Sequence, residues 1–237
     1  MPSPSRPANR SSDLASGALA ILPIAGAAIP FGVLWGALAA QKGLSPLEAL
    51  MMSAVVLAGA SQFVAIDLWA HPIPIATVVV ATFLVNTRHI LMGTSLLPKM
   101  DAFPKRWKPV ALFFLVDEVW ALAEKRAREG PLTPAYYAGM AAVISSAWLA
   151  WTTLGALLGA GVGDPTRYGF DFAFTALFIG LLMSFRATPG FVTVVVAAAA
   201  GSTLVHLVAP GPLAIAAGAV AGVAAATLRP MKREQQL

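Results

Sequence analysis

Two long apolar stretches of this chain carry polar groups at their centres, where lipid tolerates them only if they face protein or a wet cavity. In 53–69 the interruption is Gly59-Ala60-Ser61-Gln62, and in 73–97 it is Asn86, Arg88 and His89. A third apolar stretch, 109–123, holds Asp117 and Glu118 at its centre. These residue types match the needs of a zwitterion. A carboxylate asks for a guanidinium or exposed N–H groups, which Arg88 and a helix loosened over Gly59–Gln62 would offer. An ammonium group or a coupling proton asks for a carboxylate in a low-dielectric site, the role available to Asp117 or Glu118. A structural ion pair between Arg88 and one of those carboxylates would use the same residues without any ligand, and both readings stand at this point.

Other polar residues in apolar surroundings read as structural. His89 adjoins Arg88 and projects in another direction, Asp67 ends its segment, and Asp171 opens one, where a carboxylate complements the helix dipole. The six tryptophans suit the two interface belts. Enzyme chemistry finds no support. The three histidines occur singly, without metal-site spacing, so no metal or cofactor is expected. Ser61 precedes Gln62 and forms no nucleophile elbow. No glycine-rich phosphate loop is present, which also leaves ATP-driven transport without a motif.

The elements that must position these groups follow from composition. Of 237 residues, 58% are hydrophobic and 11% charged, against roughly 25% charged in soluble domains. The chain therefore reads as an all-α polytopic transmembrane bundle. The net charge of +5 comes from short basic runs flanking apolar segments, a topology signal rather than a nucleic-acid one. Absence of cysteine excludes disulfides and thiolate chemistry.

Taken in order, residues 1–15 read as a disordered tail, 16–229 as one transmembrane domain and 230–237 as a basic tail. Apolar segments fall at about 17–40, 47–69, 73–97, 109–123, 135–160, 170–185, 190–208 and 212–228, giving seven or eight, some of them broken. Pro23 and Pro30 should kink the first. Ser45 should cap the second, with Pro46 at its first position and Glu48 in its first turn. Residues 124–129 read as a wet charged loop. An eight-span count sets the basic 99–108 loop opposite both the N-terminus and 124–130. A seven-span count, in which 109–123 does not cross, gathers both loops on one side with the N-terminus on the other, and the positive-inside rule favours it. A faint echo of 58–74 in 200–212 suggests an inverted repeat, a frequent transporter plan.

The order of motifs resembles the AzlC family of branched-chain amino-acid permeases. The matching pieces are Pro30-Phe31-Gly32 with Gly36, Gly43-Leu44-Ser45, and Ser53 with Leu57-Ala58-Gly59-Ala60-Ser61-Gln62-Phe63. Asn86-Thr87-Arg88-His89, Ser95-Leu96, Pro98, Asp117-Glu118 and Asp171-Phe172-Ala173 continue the match. The resemblance implies export of leucine, valine, isoleucine and methionine across a bacterial cytoplasmic membrane, driven by the proton-motive force. It also implies a small AzlD-like membrane subunit as partner. Gly59, Ser61, Gln62, Phe63, Asn86, Arg88 and Phe31 would then bind substrate, and Asp117 or Glu118 would hold the ammonium or exchange a proton. A channel, a carrier of another small zwitterion and a non-transporting assembly protein are the alternatives.

Overall fold

Only helices and closed barrels satisfy their own backbone groups within lipid, and among the described residues every regular element is a helix. The computed structural model describes residues 10–159, 179–180, 182–183, 186, 188–209 and 212–228. The chain forms two compact units, Met1–Asp67 with Val85–Pro165, and Leu68–Leu84 with Thr166–Leu237.

The first unit is built on α1 (Arg10–Ala27) and α2 (Ile29–Gln41), which meet at a 55° bend. Pro30 lies in the first turn of α2, where its missing N–H is least costly. Residues 10–15, expected in a disordered tail, are already helical. The long helix α8 (Pro134–Gly159) runs parallel to both, with Gly139 against Leu14, Gly155 against Val33 and Gly159 against Ala37. Small residues allow this approach. A methyl group on Gly36 or Gly155 would strike the backbone of the facing helix.

Residues 47–69 do not form one span. They divide into α3 (Pro46–Val55) and α4 (Gly59–Asp67), separated by Val56–Ala58. Ser53 and Gln62 would be about 13 Å apart along a straight helix, yet their side chains share a 3.1 Å hydrogen bond. The chain therefore turns at this break as an open hairpin, whose arms pack on α2 and α8 rather than along one another. Its break precedes the expected one: Gly59–Gln62 is the first turn of α4, and the Gln62 N–H donates to the Ala58 carbonyl at 3.0 Å. The expected cap is present. The Ser45 hydroxyl accepts from the Glu48 N–H at 3.2 Å, and the Glu48 carboxylate accepts from the Ser45 N–H at 2.7 Å. The Ser45 backbone donor, and then its hydroxyl, hold the Glu48 carboxyl below its usual range.

A second hairpin follows α5 (Ile75–Leu96). It consists of α6 (Lys108–Phe113) and α7 (Asp117–Glu129), with its break at Phe114–Val116. Arg88 of α5 meets Asp117, while Ser95 and Lys99 meet Glu124. The helix α7 thus runs beside α5 towards the Lys99 end, and residues 109–123 enter and return without crossing.

Three further contacts fix the ends. Thr133 donates to Asp13 at 2.8 Å, Tyr137 donates to the Ala111 carbonyl at 2.6 Å, and the Phe103 and Tyr137 rings meet edge to face. The start of α1, the 99–107 connection and the start of α8 therefore share one end. That end carries Lys99, Lys105, Arg106, Lys108, Lys125, Arg126 and Arg128, whereas Lys42 follows α2 at the other. Both expected topologies are corrected, because each placed one of these three segments opposite the others. The eight-span count fails because 109–123 turns back, and the seven-span count, which already left 109–123 uncrossed, fails because 47–69 turns back as well. Among the described residues three helices are long and apolar enough to cross a membrane, or four with the bent α1–α2 pair counted as one. Seven or eight crossings are not reached among those residues.

The core of the first unit is apolar, around Ile21, Leu96, Met100, Leu115, Val119 and Met140. In the second unit α9 (Phe191–Val208) and α10 (Pro212–Thr227) pack as a pair, with Gly201 against Ala217 and Ala221. Ala200-Gly201-Ser202 lies inside unbroken α9, unlike the 58–61 stretch it echoes. Arg167, Asp171 and most of the 170–185 segment lie outside the described residues.

Candidate functional site

The α6–α7 hairpin puts two carboxylates at its tip. Val116 is extended, and Asp117 and Glu118 open α7, where negative charge complements the helix dipole. Arg88 Nη2 lies 2.9 Å from Asp117 Oδ2, with the two side chains 30% and 40% exposed. Along α5 this pair sits about 16 Å from Lys99, eleven residues at 1.5 Å each. Glu118 is half-buried beside it. Two polar atoms here are buried without a hydrogen-bond partner, Arg88 Nε and Asn86 Oδ1. Unpaired groups of this kind are uncommon in native interiors, and Trp35 Nε1, Gln41 Nε2, Arg126 Nε and Ser145 Oγ share that state elsewhere among the described residues. The Asn86 carbonyl lies 3.3 Å from His89 Nδ1, which ties His89 to its own helix.

Such a pair has the charge pattern of a zwitterion in reverse. A carboxylate can replace Asp117 on the guanidinium while an ammonium replaces Arg88 on Asp117, with no net charge moved into or out of the site.

The tip of the α3–α4 hairpin has a different character. Gln62 is fully buried, its amide donating to Ser53 Oγ at 3.1 Å and accepting from Trp148 Nε1 at 2.7 Å. Ser61 is 1% exposed and donates to the Ala58 carbonyl at 3.0 Å, and Phe63 is likewise enclosed. Gly59 lets the Trp148 ring approach, since a Cβ there would stand 3.1 Å from it. These residues hold the hairpin to itself and to α8. On this geometry Ser61, Gln62 and Phe63 make bracing contacts, and the Gln62 amide, with one hydrogen bond at each end, keeps one donor and one acceptor position. Phe31 lies on α2, partly exposed, and Asn86 stands two residues from Arg88.

Several residues at this site were not legible. Trp148 reads as a belt residue, yet it sits fourteen residues into α8 and binds Gln62. Trp35 is fully buried, so it belongs to no belt, and Trp120 donates to Ser95 at 2.8 Å. Glu124, expected in a wet loop, is 6% exposed, ion-paired with Lys99 and hydrogen-bonded by Ser95. The signal available was the i, i+4 spacing of Ser95 and Lys99, which puts both on one face of a continuing helical run. Among the described residues no group of three His, Asp or Glu side chains converges to hold a metal.

The model of the AzlC protein family matches residues 23–162, which include both hairpins and the Arg88–Asp117 pair. Inner membrane protein YgaZ of Escherichia coli (strain K12) is 31% identical over 94% of each chain. An archaeal protein described as an uncharacterized membrane protein, from Archaeoglobus fulgidus, is 31% identical over 84% of this chain and 88% of its own. Branched-chain amino acid transport protein AzlC of Bacillus subtilis (strain 168) is 26% identical over 67% of this chain and 62% of its own. No solved structure matches. The match to the family model and the near full-length relatedness establish the identity: the chain is a membrane protein of the AzlC family.

Proposed function

We propose that the chain is the large subunit of a secondary exporter of branched-chain amino acids in a bacterial cytoplasmic membrane. The observation that carries the reading is the Arg88–Asp117 pair, 2.9 Å apart and partly open, at the tip of a hairpin that turns back within the bundle. Broken helices of this kind line the substrate sites of transporters. The name of the Bacillus subtilis relative, a branched-chain amino acid transport protein, supports the choice of substrate class.

In the proposed cycle the substrate carboxylate takes Arg88 and its ammonium takes Asp117. Glu118, the neighbouring carboxylate, exchanges the coupling proton. Asn86 presents its unpaired side-chain oxygen, Oδ1, to the ammonium. Gln62, Ser53 and Trp148 keep the opposing hairpin fixed while access alternates. The positive-inside rule makes the basic end of the first unit cytoplasmic. A small AzlD-like subunit completes the exporter.

The test is leucine and valine efflux from cells fed branched-chain dipeptides, with the chain alone and with the small membrane protein. Arg88→Gln and Asp117→Asn should each lower efflux about tenfold or more at equal membrane abundance, the loss expected for one charge-assisted contact. The exchanged pair, Arg88→Asp with Asp117→Arg, separates ligand binding from mere structure. A structural ion pair predicts recovered abundance and recovered efflux, whereas the site reading predicts abundance without efflux. Wild-type efflux from both single variants overturns the proposal.

A further inference from the structure

We propose that a second binding site, for aliphatic solutes bearing a primary ammonium group, occupies a cavity of about 720 Å³ at the basic end of the first unit. It rests on the exporter reading, in which it is the cytoplasmic loading site. The cavity falls within the roughly 300–1,000 Å³ range of small-molecule sites, which are mostly apolar with a few placed polar groups. Phe103 and Trp107 of the connecting segment, Phe114 at the α6–α7 break, and Tyr137 and Ala138 of α8 supply apolar wall. The Tyr137 hydroxyl is engaged by the Ala111 carbonyl, so this residue contributes its ring.

Asp13 supplies the charge. Its Oδ2 accepts from the Thr133 hydroxyl at 2.8 Å, and Thr133 in turn accepts from the Tyr136 N–H at 3.2 Å, which fixes the carboxylate against the start of α8. A carboxylate has about four acceptor positions, so one hydroxyl leaves capacity for an ammonium group. Among the described lining residues there is no Lys or Arg. The wall therefore offers a cation one carboxylate and an apolar body, with Lys105, Arg106 and Lys108 flanking the lining residues Pro104 and Trp107 from outside. The cavity reaches Phe114, three residues before Asp117. A solute held by its amine at Asp13 lies on the way to the hairpin tip, before its carboxylate is needed by Arg88.

The probe is radiolabelled L-leucinamide, which has the amine and side chain of leucine but no carboxylate, with L-leucine alongside. Equilibrium binding is measured on the purified full-length chain in nanodiscs at about pH 6.5, where the amine is charged. Leucinamide should bind. Asp13→Asn, which keeps an acceptor for Thr133, should weaken it about tenfold or more. Asp13→Glu should retain it, and Ala138→Phe, which narrows the cavity beside Tyr137, should weaken it. Arg88→Gln should weaken leucine binding, while the part of leucinamide binding that depends on Asp13 persists. No leucinamide binding by the wild type, or binding indifferent to both Asp13→Asn and Ala138→Phe, overturns the site. Loss of a co-purified lipid from Ala138→Phe with leucinamide binding intact does the same. Leucine binding that depends on Arg88, with leucinamide indifferent to Asp13, removes this site and leaves the exporter reading intact. Leucinamide binding at Asp13 without Arg88-dependent efflux removes the exporter reading instead.

Discussion

Replacing Gln62 by Met tests whether this amide is a brace or a ligand. The side chain is fully buried, and its two ends meet Ser53 at 3.1 Å and Trp148 at 2.7 Å. Methionine is flexible, unbranched and of similar length, so the change removes polarity with little change in packing. Each partner left without a hydrogen bond costs about 1–3 kcal/mol. Ser53 falls at the low end, since its hydroxyl can turn to a carbonyl of its own helix. Trp148 falls higher, because its ring is held in place and its N–H cannot be re-aimed. The sum is about 2–4 kcal/mol. At roughly 2–4 °C per kcal/mol for a chain of this size, the melting temperature should fall by roughly 5–15 °C. The assay is a thermal melt of the purified full-length chain in one detergent. Trp148→Phe should cost a similar amount, and the double variant should cost clearly less than the two singles together, since both break the same bond. A shift below about 1 °C for Gln62→Met, with altered leucine affinity in its place, would refute the bracing argument and return Gln62 to the substrate contacts.

Three further outcomes follow from the same contacts. Lys99→Met leaves the Glu124 carboxylate buried with only Ser95 to hold it; the expected loss is about 2–3 kcal/mol, below the 3–5 kcal/mol of a wholly buried pair because Lys99 is partly exposed, and Lys99→Met combined with Glu124→Gln should recover part of it in the same melts. Gly36→Leu drives a side chain into the α8 backbone at Thr152–Ala156, and should lower stability by about 1–3 kcal/mol or more, read as reduced folded yield, while Gly26→Ala, with open space around its Cβ, should not. Glu48 has its carboxyl lowered by Ser45, so in the unfolded chain it takes a proton at higher pH than in the folded one. Its capping contribution is full above the unfolded value of 4.5 and fades as pH falls through the lower folded value. Glu48→Gln should therefore melt below wild type at neutral pH and converge with it in acid.

The class of the protein was legible because composition alone decides whether a chain can leave water. The Arg88–Asp117 pair was legible for a related reason: charged residues within apolar sequence must find each other or a ligand. Direction of travel was not. A run such as 47–69 has the same hydropathy whether it crosses or turns back, and the turn falls at Val56-Leu57-Ala58, which holds neither Gly nor Pro. Tertiary contacts set that break, chiefly the Gln62–Trp148 bond between residues 86 apart in sequence. The same holds for Glu124, which looks wet beside Lys125 and Arg126 until Lys99 and Ser95 cover it.

The length of that 86-residue interval also bears on how the protein is made. Gln62 emerges from the ribosome well before Trp148, and at roughly 5–20 residues per second the delay is roughly 4–17 s. For those seconds the α3–α4 hairpin has no α8 to close against, and half of the Gln62 amide has no partner. Hydrocarbon is a poor place to wait in that state. The hairpin must stay at the interface, in the insertion machinery or with a chaperone until α8 arrives, and then be seated after the helices on either side of it in the chain. Truncation before α8 should accordingly yield a product cleared by membrane proteases, with residues 59–67 open to modification from the aqueous side.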